Sequence, residues 1–193
     1  MIAAIILAAG LSSRTKGSNK LLLNYKGKKI IKHSVKSILD SKINHTVVVL
    51  GKNKTKIKKE IPKRKNISFV YNAKYKQGMA SSILAGMKSL PKETKSFFIN
   101  LADMPEIKSI HYNKMILMSN KNSKLPIVPF YKSQQANPVL FLTDPEKYGT
   151  LVYTYTGSTG GGANITLPNI DESSATTLAG QLSAAGYSSD LVP

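Results

Sequence analysis

The fold of this chain is set near its start, where residues 2–23 read IAAIILAAGLSSRTKGSNKLLL. The apolar run from Ile2 to Leu7 predicts a buried strand, and the small residues that follow predict a loop of exposed backbone N–H groups. Arg14 and Lys20 add two cations, so the loop has the chemistry of a polyphosphate site. The chain lacks both a Walker A motif and a G-x-G-x-x-G motif. An ordinary strand-to-helix loop therefore remains the alternative.

Length and composition indicate one folded domain. The 193 residues are 41% hydrophobic, which supplies enough apolar side chains for a core. There is no apolar run of about 18 residues, as a membrane span requires, and no signal peptide at the start. The chain also has no Cys. We therefore expect a soluble, cytoplasmic protein that has no disulfides and no thiolate metal ligands, with no membrane among its partners.

Positive charge is concentrated in the first part of the chain. All 28 basic residues and 7 of the 10 acidic residues lie at or before Lys147, so residues 1–147 carry +21 and residues 148–193 carry −3. Such a charge favours anionic ligands and raises the question of nucleic acid. However, the lysines are scattered, and no aromatic residues are interleaved with them as in a stacking platform. Solvated Lys-rich faces are the favoured interpretation, and a nucleic-acid partner is not expected.

Strands and helices alternate over the first two thirds of the chain. Strands are predicted at Ile2–Leu7, Thr46–Leu50, Ile67–Tyr71 and Ser96–Leu101, and helices at Ile30–Leu39, Lys52–Ile61, Met79–Leu90 and Ile107–Met118. Strands separated by helices of this length form a mostly parallel sheet with both faces covered. The sequence thus predicts an α/β fold that binds its ligands at the carboxyl ends of the strands.

Residues 148–193 differ from the rest in composition. They contain no Lys or Arg, and they are rich in Gly, Ser and Thr, with three consecutive glycines at 160–162. We predict one domain over residues 1–147, followed by a segment over 148–193 that completes the domain or forms an appended tail. Strands at Leu151–Tyr155 and Asn164–Leu167 and a helix at Ala175–Ala185 are predicted within this segment.

A second candidate segment follows the third predicted strand. Gly78 allows a tight turn, and Ser81 and Ser82 stand near the start of the next helix. Free N–H groups there, together with the hydroxyls, suit a base, a ribose or a phosphate. The alternative is a plain serine N-cap, with Gly86 present for close packing.

A third candidate, Asp103, follows the fourth predicted strand. A carboxylate just past a buried strand, with Pro105 fixing the turn behind it, suits Mg²⁺ bound together with nucleotide phosphates. The alternative is that Asp103 is the N-cap of the following helix. Because all three candidate segments follow strands of one parallel sheet, we expect them to gather along one edge.

Four segments together resemble a known family. They are Leu7–Leu23, Gly78–Gly86, Ala102–Pro105 and Ala136–Phe141, and their order and spacing are similar to those of MobA-like nucleotidyltransferases, with the molybdenum cofactor cytidylyltransferases as the closest branch. The resemblance covers about residues 1–147. It implies a three-layer α/β/α Rossmann-like nucleotidyltransferase fold. It also implies transfer of a nucleoside monophosphate from an NTP to a phosphorylated acceptor, with Mg²⁺ as cofactor and pyrophosphate as the leaving group, and it favours CTP over GTP.

The resemblance also implies roles for individual residues. Arg14 and Lys20 would bind the triphosphate, and Asp103 would hold the metal. The base would contact the backbone of the first segment, Gly78 and Ser82 would line the base and ribose pocket, and Asn137 and Pro138 would lie near the acceptor. The first-segment residues concerned are Leu7, Ala8, Ala9 and Gly10.

Several positions depart from the family pattern. Thr15 and Lys16 stand where Met-Gly is usual, Ala102 replaces a Gly, and Asn137 replaces the His of the closest branch. The last change concerns the acceptor side. Asp171 is a candidate second metal ligand, and a solvent-exposed loop acid is the favoured alternative.

Two other function classes remain open from sequence. One is a nucleotide-binding regulatory protein that kept the fold without the chemistry, and the other is a basic nucleic-acid-binding protein. Sequence does not give the oligomeric state.

Overall fold

The computed structural model describes residues 1–12, 19–119, 127, 130–131, 134–135, 140–143, 152–155 and 163–166. The strands are β1 (Ile2–Ala8), β2 (Asn24–Tyr25), β3 (Lys28–Lys29), β4 (His45–Leu50), β5 (Ile67–Tyr71), β6 (Ser96–Leu101), β7 (Phe130–Tyr131), β8 (Gln134–Gln135), β9 (Leu140–Thr143), β10 (Val152–Tyr155) and β11 (Ala163–Thr166). The helices are α1 (Ile30–Leu39), α2 (Lys54–Lys59), α3 (Met79–Lys88) and α4 (Ser109–Ser119).

The main sheet has the strand order β5-β4-β1-β6-β9. Strands β5, β4, β1 and β6 are parallel, and β9 runs antiparallel to β6. The chain first moves outward from β1 to β4 and β5, and it then returns to place β6 on the other side of β1. The strand order therefore reverses at β1, and a crevice opens beyond the carboxyl ends of β1 and β6.

Helices cover both faces of this sheet. Alternate residues of β1 point to opposite faces, so Ala4, Ile6 and Ala8 join the cluster beneath α1, α2 and α4, whereas Ala3, Ile5 and Leu7 join the cluster beneath α3. On the α3 side the contact is close, because a Cβ on Gly86 would lie 2.4 Å from Cγ2 of Ile5. The predicted three-layer α/β/α fold is confirmed, and so is the close packing at Gly86.

Most predicted elements lie where the sequence places them. The bounds of α1, β5 and β6 are those predicted. Helix α2 is shorter than predicted because the chain still turns after Gly51, whose carbonyl accepts a hydrogen bond from the amide of Lys54 at 3.2 Å. The predicted strands near residues 152–155 and 163–166 are present as the antiparallel pair β10 and β11. The helix predicted at 175–185 lies outside the described residues.

The sequence prediction missed the hairpin β2–β3 and the antiparallel strand β9. The hairpin turns through Lys26 and Gly27, which have φ values of 46° and 79°. Two consecutive positive φ values are typical of the two-residue turn whose twist matches paired strands. Such short strands carry too few residues for an alternating pattern.

Within the described part of the chain, no helix is long and apolar enough to cross a membrane.

Candidate active site

A cavity of about 450 Å³ opens at the reversal point of the sheet, beyond the carboxyl ends of β1 and β6. Three segments form its walls: residues 9–12 after β1, residues 75–82 leading into the first turn of α3, and the chain around Asp103 after β6. Its volume lies within the range of small-molecule sites, about 300–1,000 Å³. The three candidate segments, which are remote in sequence, do meet at one edge of the sheet.

Lys20 and Asp103 face each other at this cavity. The Nζ atom of Lys20 lies 3.0 Å from Oδ2 of Asp103, and the two side chains are 50% and 36% exposed. The backbone of Lys20 is held in turn, because its amide donates to Oγ of Ser12 at 3.2 Å. The alternative interpretation of Asp103 as an N-cap is wrong, since α4 begins only at Ser109. The carboxylate is therefore available to the cavity.

The start of α3 forms the opposite wall. Gly78, with a φ of 102°, is the N-cap residue, and it carries no side chain that would cap the helix. The plain serine N-cap is therefore wrong. Ser81 instead uses its hydroxyl to donate backward to the carbonyl of Lys74 or Gly78, at 2.9 and 2.8 Å. Without a side-chain cap among the described residues, the N–H groups of the first turn remain suited to an anionic or polar ligand.

Asn72 fixes this wall to the sheet. It lies just past β5 and is only 5% exposed. Its Nδ2 donates to the hydroxyls of Ser81 at 2.9 Å and Ser82 at 3.0 Å, and its Oδ1 accepts from the amide of Lys74 at 2.9 Å. The backbone amide of Asn72 also donates to the carbonyl of Leu50, so this one buried residue links the ends of β4 and β5 to α3.

The loop after β1 rests on a glycine of the neighbouring strand. A Cβ on Gly51 would lie 2.4 Å from the carbonyl oxygen of Ala9, so only Gly lets the two segments come this close. At Gly10, by contrast, a Cβ would meet no described atom within 4 Å. Gly10 is exposed among the described residues and lines the cavity, so a ligand there can approach its backbone.

Comparison with known proteins identifies this arrangement. The sequence model of the MobA-like NTP transferase domain matches residues 4–166. The chain belongs to the MobA-like NTP transferase family. Among curated relatives, the molybdenum cofactor cytidylyltransferase of Escherichia coli (strain K12) is 27% identical over 139 residues, which cover 72% of this chain and 69% of that protein. The chain is therefore a nucleotidyltransferase.

Solved structures support the fold of this MobA-like transferase. Rv0371c from Mycobacterium tuberculosis H37Rv superposes with a TM-score of 0.64 at 17% sequence identity, and the match covers 74% of this chain and 70% of that one. The manganese complex of Rv0371c superposes with a TM-score of 0.59 at 15% sequence identity, with the same coverage. The 4-diphosphocytidyl-2C-methyl-D-erythritol synthase of Anaerococcus prevotii DSM 20548 superposes with a TM-score of 0.55 at 20% sequence identity. The match covers 75% of this chain and 70% of that one.

The predicted site residues of the transferase fall into three groups. Those that line the cavity are Leu7, Ala9, Gly10, Lys20, Gly78, Ser82 and Asp103. Ala8 does not line it, because its side chain points to the other face of the sheet and packs beneath α1. Those that lie outside the described residues are Arg14, Asn137, Pro138 and Asp171. The roles given to all of these residues stay predictions.

The cavity of the transferase also has walls that sequence reasoning did not select. Tyr75 and Lys76 lie in the short turn before Gly78, and Ser12 and Met79 complete the two sides. The sequence contains nine tyrosines, and no pattern separates Tyr75 from the rest. Tyr75 reaches the cavity because it lies three residues after Asn72, in a turn in which its amide donates to the carbonyl of Asn72 at 3.3 Å.

The loop that carries Asp103 is anchored by Glu106. The carboxylate of Glu106 accepts hydrogen bonds from the hydroxyl of Tyr25 and from Nζ of Lys26, the latter at 2.9 Å. These two contacts lower the pKa of Glu106 from 4.5 to about 2. The hairpin β2–β3 thereby holds the chain three residues beyond Asp103.

The donor set around Asp103 fits a magnesium ion bound mainly by substrate. Over the described residues, no three side chains of His, Cys, Asp or Glu are grouped closely enough to hold a metal. Magnesium is usually bound by one or two carboxylates together with substrate phosphates and water, rather than by an all-protein cage. A single carboxylate at the cavity, with a lysine beside it, fits that mode of binding.

Proposed function

We propose that this nucleotidyltransferase transfers CMP from CTP to a phosphorylated acceptor such as molybdopterin, with Mg²⁺, and releases pyrophosphate. The observation that carries the proposal is the pairing of Lys20 and Asp103 at 3.0 Å beside the cavity of the sheet. A triphosphate needs a cation for its charge and a carboxylate for its metal, and here the two side chains lie together. The cytidylyltransferase name of the Escherichia coli relative supports CTP as the donor.

The chain's own residues act in this reaction by binding and positioning. An oxygen of the acceptor's phosphate attacks the α-phosphorus, the bond between the α-phosphorus and its bridging oxygen breaks, and pyrophosphate departs. The protein supplies no nucleophile, so its contribution is to align the two reactants. Lys20, together with Arg14, neutralises the negative charge that grows on the departing pyrophosphate.

The base and ribose are expected between the loop after β1 and the start of α3. Gly10 offers backbone without a side chain on the cavity side, and Ser82 is held by Asn72 at the other wall. The uncapped N–H groups that follow Gly78 supply further donors.

Asp103 is the described residue that would hold the metal. Bound Mg²⁺ would neutralise phosphate charge and template the triphosphate. The manganese complex of Rv0371c, which shares the fold, supports a divalent cation in this role. Asp171 is proposed as a second ligand on sequence grounds alone.

Pyrophosphate release tests the proposal directly. The protein is supplied with CTP, MgCl₂ and molybdopterin, and the change Asp103→Asn is compared with Asp40→Asn. Asp40 also pairs with a lysine, Lys36, but on the surface of α1. We expect release to fall by at least about 100-fold in Asp103→Asn and to stay near wild type in Asp40→Asn. Equal release in wild type and Asp103→Asn would remove the proposed role of Asp103.

A thermal-shift comparison of CTP, GTP, ATP and UTP identifies the donor. A nucleotide that binds the folded state raises the unfolding temperature, and at equal concentration a tighter ligand raises it more. We expect the largest shift with CTP, and we expect it to depend on Mg²⁺. A shift that is the same without Mg²⁺, with no pyrophosphate released, would favour a nucleotide-binding regulatory protein instead.

A further inference from the structure

A second groove lies at the far edge of the sheet, between α2 and β5. Its volume is about 490 Å³, and its walls include Lys54, Lys58, Lys59, Lys63, Phe69 and Tyr71. No acidic residue of the described chain lines it. Strand β5 is the edge strand, separated from the crevice between β1 and β6 by β4. The groove is therefore a separate surface from the cavity that holds Lys20 and Asp103.

Lysines of α2 stand over aromatic rings of β5. The Nζ atom of Lys54 lies 4.1 Å from the ring centre of Tyr71, and that of Lys58 lies 5.0 Å from the ring centre of Phe69. Four helical residues span about 6 Å. Two strand residues span about 6.6 Å. The spacing of the two lysines along α2 therefore matches the spacing of the two rings along β5, and the two elements present two cation–aromatic pairs side by side.

The positive charge around this groove is not neutralised. Residues 52–65 contain eight basic residues and a single acidic residue, Glu60. The carboxylate of Glu60 is paired with Lys32 of α1 at 3.0 Å. Within the described chain, none of the eight basic residues forms an ion pair with a carboxylate. This concentration of charge attracts a polyanion.

The aromatic rings indicate which polyanion. An acidic peptide would pair with the lysines and leave the rings unused, whereas bases stack on aromatic faces while phosphates take the cations. The ring of Tyr71 is available, since this residue is 48% exposed. An exposed cation–aromatic contact is weaker than base stacking, so a phosphate can draw Lys54 away and a base can replace it on the ring.

We propose that the groove between α2 and β5 binds single-stranded nucleic acid. The phosphates contact Lys54, Lys58 and the neighbouring lysines, and a base stacks on Tyr71. Sequence alone does not predict this surface, because its lysines and its aromatic residues belong to different elements. The fold brings them together.

Fluorescence anisotropy of the full chain tests the proposal. The probes are a labelled oligothymidylate of about ten nucleotides and an abasic deoxyribose-phosphate strand of equal length, which has the same phosphates but no bases. We expect the oligothymidylate to bind about tenfold more tightly, and we expect Tyr71→Leu to remove that difference. Tyr71→Phe keeps the ring and should keep the preference.

Charge removal provides the second arm. The double change Lys54→Gln and Lys58→Gln should reduce the slope of log K against log salt concentration by about 1.4, since each phosphate contact on a single strand contributes about 0.7. The matched control is Lys88→Gln with Lys92→Gln, which removes the same charge from exposed positions in and after α3. The control should leave the slope near that of wild type.

Three results would overturn the proposal. Equal affinity for the abasic strand would mean that charge alone attracts it, and equal weakening by the control pair would mean that no defined surface is used. Full competition by a polyglutamate peptide at matched charge would indicate an acidic protein partner instead. All three readouts are independent of nucleotide transfer, so they do not depend on the proposed reaction.

Discussion

Lys20 and Asp103 form an ion pair of 3.0 Å although 83 residues separate them in sequence. The pair exists because β1 and β6 are parallel neighbours, with Leu7 opposite Leu101, so the segments that follow both strands leave the sheet at the same edge. Lys20 follows β1 and Asp103 follows β6, so the ion pair forms only when these two strands lie side by side. This places a cation and a carboxylate where a triphosphate and its metal are expected.

Replacing Lys20 should affect turnover far more than stability. An ion pair as exposed as this one contributes about 0–1 kcal/mol to folding. A cation that stabilises the departing pyrophosphate is worth about 100-fold or more in rate. We therefore expect Lys20→Met to lower pyrophosphate release by about that factor while the urea midpoint changes little. Lys32→Met, which removes a comparably exposed pair with Glu60 away from the cavity, is the control and should retain release.

Lys20→Met should also strengthen metal binding by the substrate-free protein. In the absence of substrate, Lys20 holds the carboxylate of Asp103 and repels a cation that approaches it. We expect Lys20→Met to bind Mn²⁺ several-fold more tightly than wild type, measured by the electron paramagnetic resonance signal of free Mn²⁺. Adding Asp103→Asn should cancel the gain. An unchanged Mn²⁺ affinity in Lys20→Met would mean that Asp103 is not the metal ligand.

Replacement by alanine should lower the stability of the protein at one glycine near the cavity, Gly51, and leave it unchanged at another, Gly10. In Gly51→Ala the new Cβ would meet the carbonyl oxygen of Ala9 at 2.4 Å, and this is backbone that must shift. We expect a loss of about 1–3 kcal/mol in the free energy of unfolding, as for other overpacked sites. In Gly10→Ala the Cβ meets no described atom within 4 Å, so stability should hold.

Ligand binding separates these glycines further. Because Gly10 borders the space proposed for the nucleotide, Gly10→Ala should raise the dissociation constant for CTP in calorimetry without lowering the melting temperature. If CTP affinity is unchanged in Gly10→Ala, the nucleotide does not approach this part of the loop.

Asn72 should matter for both folding and binding. Asn72→Ala would remove the hydrogen bonds that the Asn72 side chain makes with the hydroxyls of Ser81 and Ser82 and with the backbone amide of Lys74. Loss of a buried hydrogen-bonding group costs about 1–3 kcal/mol, which urea unfolding would measure. Since the same contacts fix the start of α3, we also expect a higher KM for CTP with a smaller change in kcat. A change in stability alone would limit Asn72 to a structural role.

The sequence predicts the frame of this protein well, for physical reasons. The apolar runs of β1 and β4 are unbroken because both faces of a parallel sheet are buried. Helix α1 carries apolar residues at helical spacing, so its bounds follow from the pattern alone. Parallel strands also fix the edge at which their following loops meet, and this is why the sequence predicts that the three candidate segments lie together.

The contacts within the site could not be predicted in the same way. Asn72 looks like any polar residue after a strand. The sequence predicts the start of α3 at Met79, but it does not show that Ser81 and Ser82 contact Asn72 instead of capping the helix. Gly51 reads as the end of a strand, yet its small size serves the close approach of Ala9. Such features depend on pairs of residues distant in sequence, and no local pattern records them.

Acid should weaken the anchor of the Asp103 loop within a defined pH window. Two hydrogen bonds, the larger contribution from Tyr25 and the smaller from Lys26, lower the folded-state pKa of Glu106 from 4.5 to about 2. A depressed carboxylate pKa stabilises the fold above the unfolded value, and the contribution is lost as the pH falls from 4.5 towards 2. We expect the difference in unfolding free energy between wild type and Glu106→Gln to shrink over that window in urea titrations. Tyr25→Phe should narrow the window from its acid side, and parallel curves for wild type and Glu106→Gln would contradict the assignment.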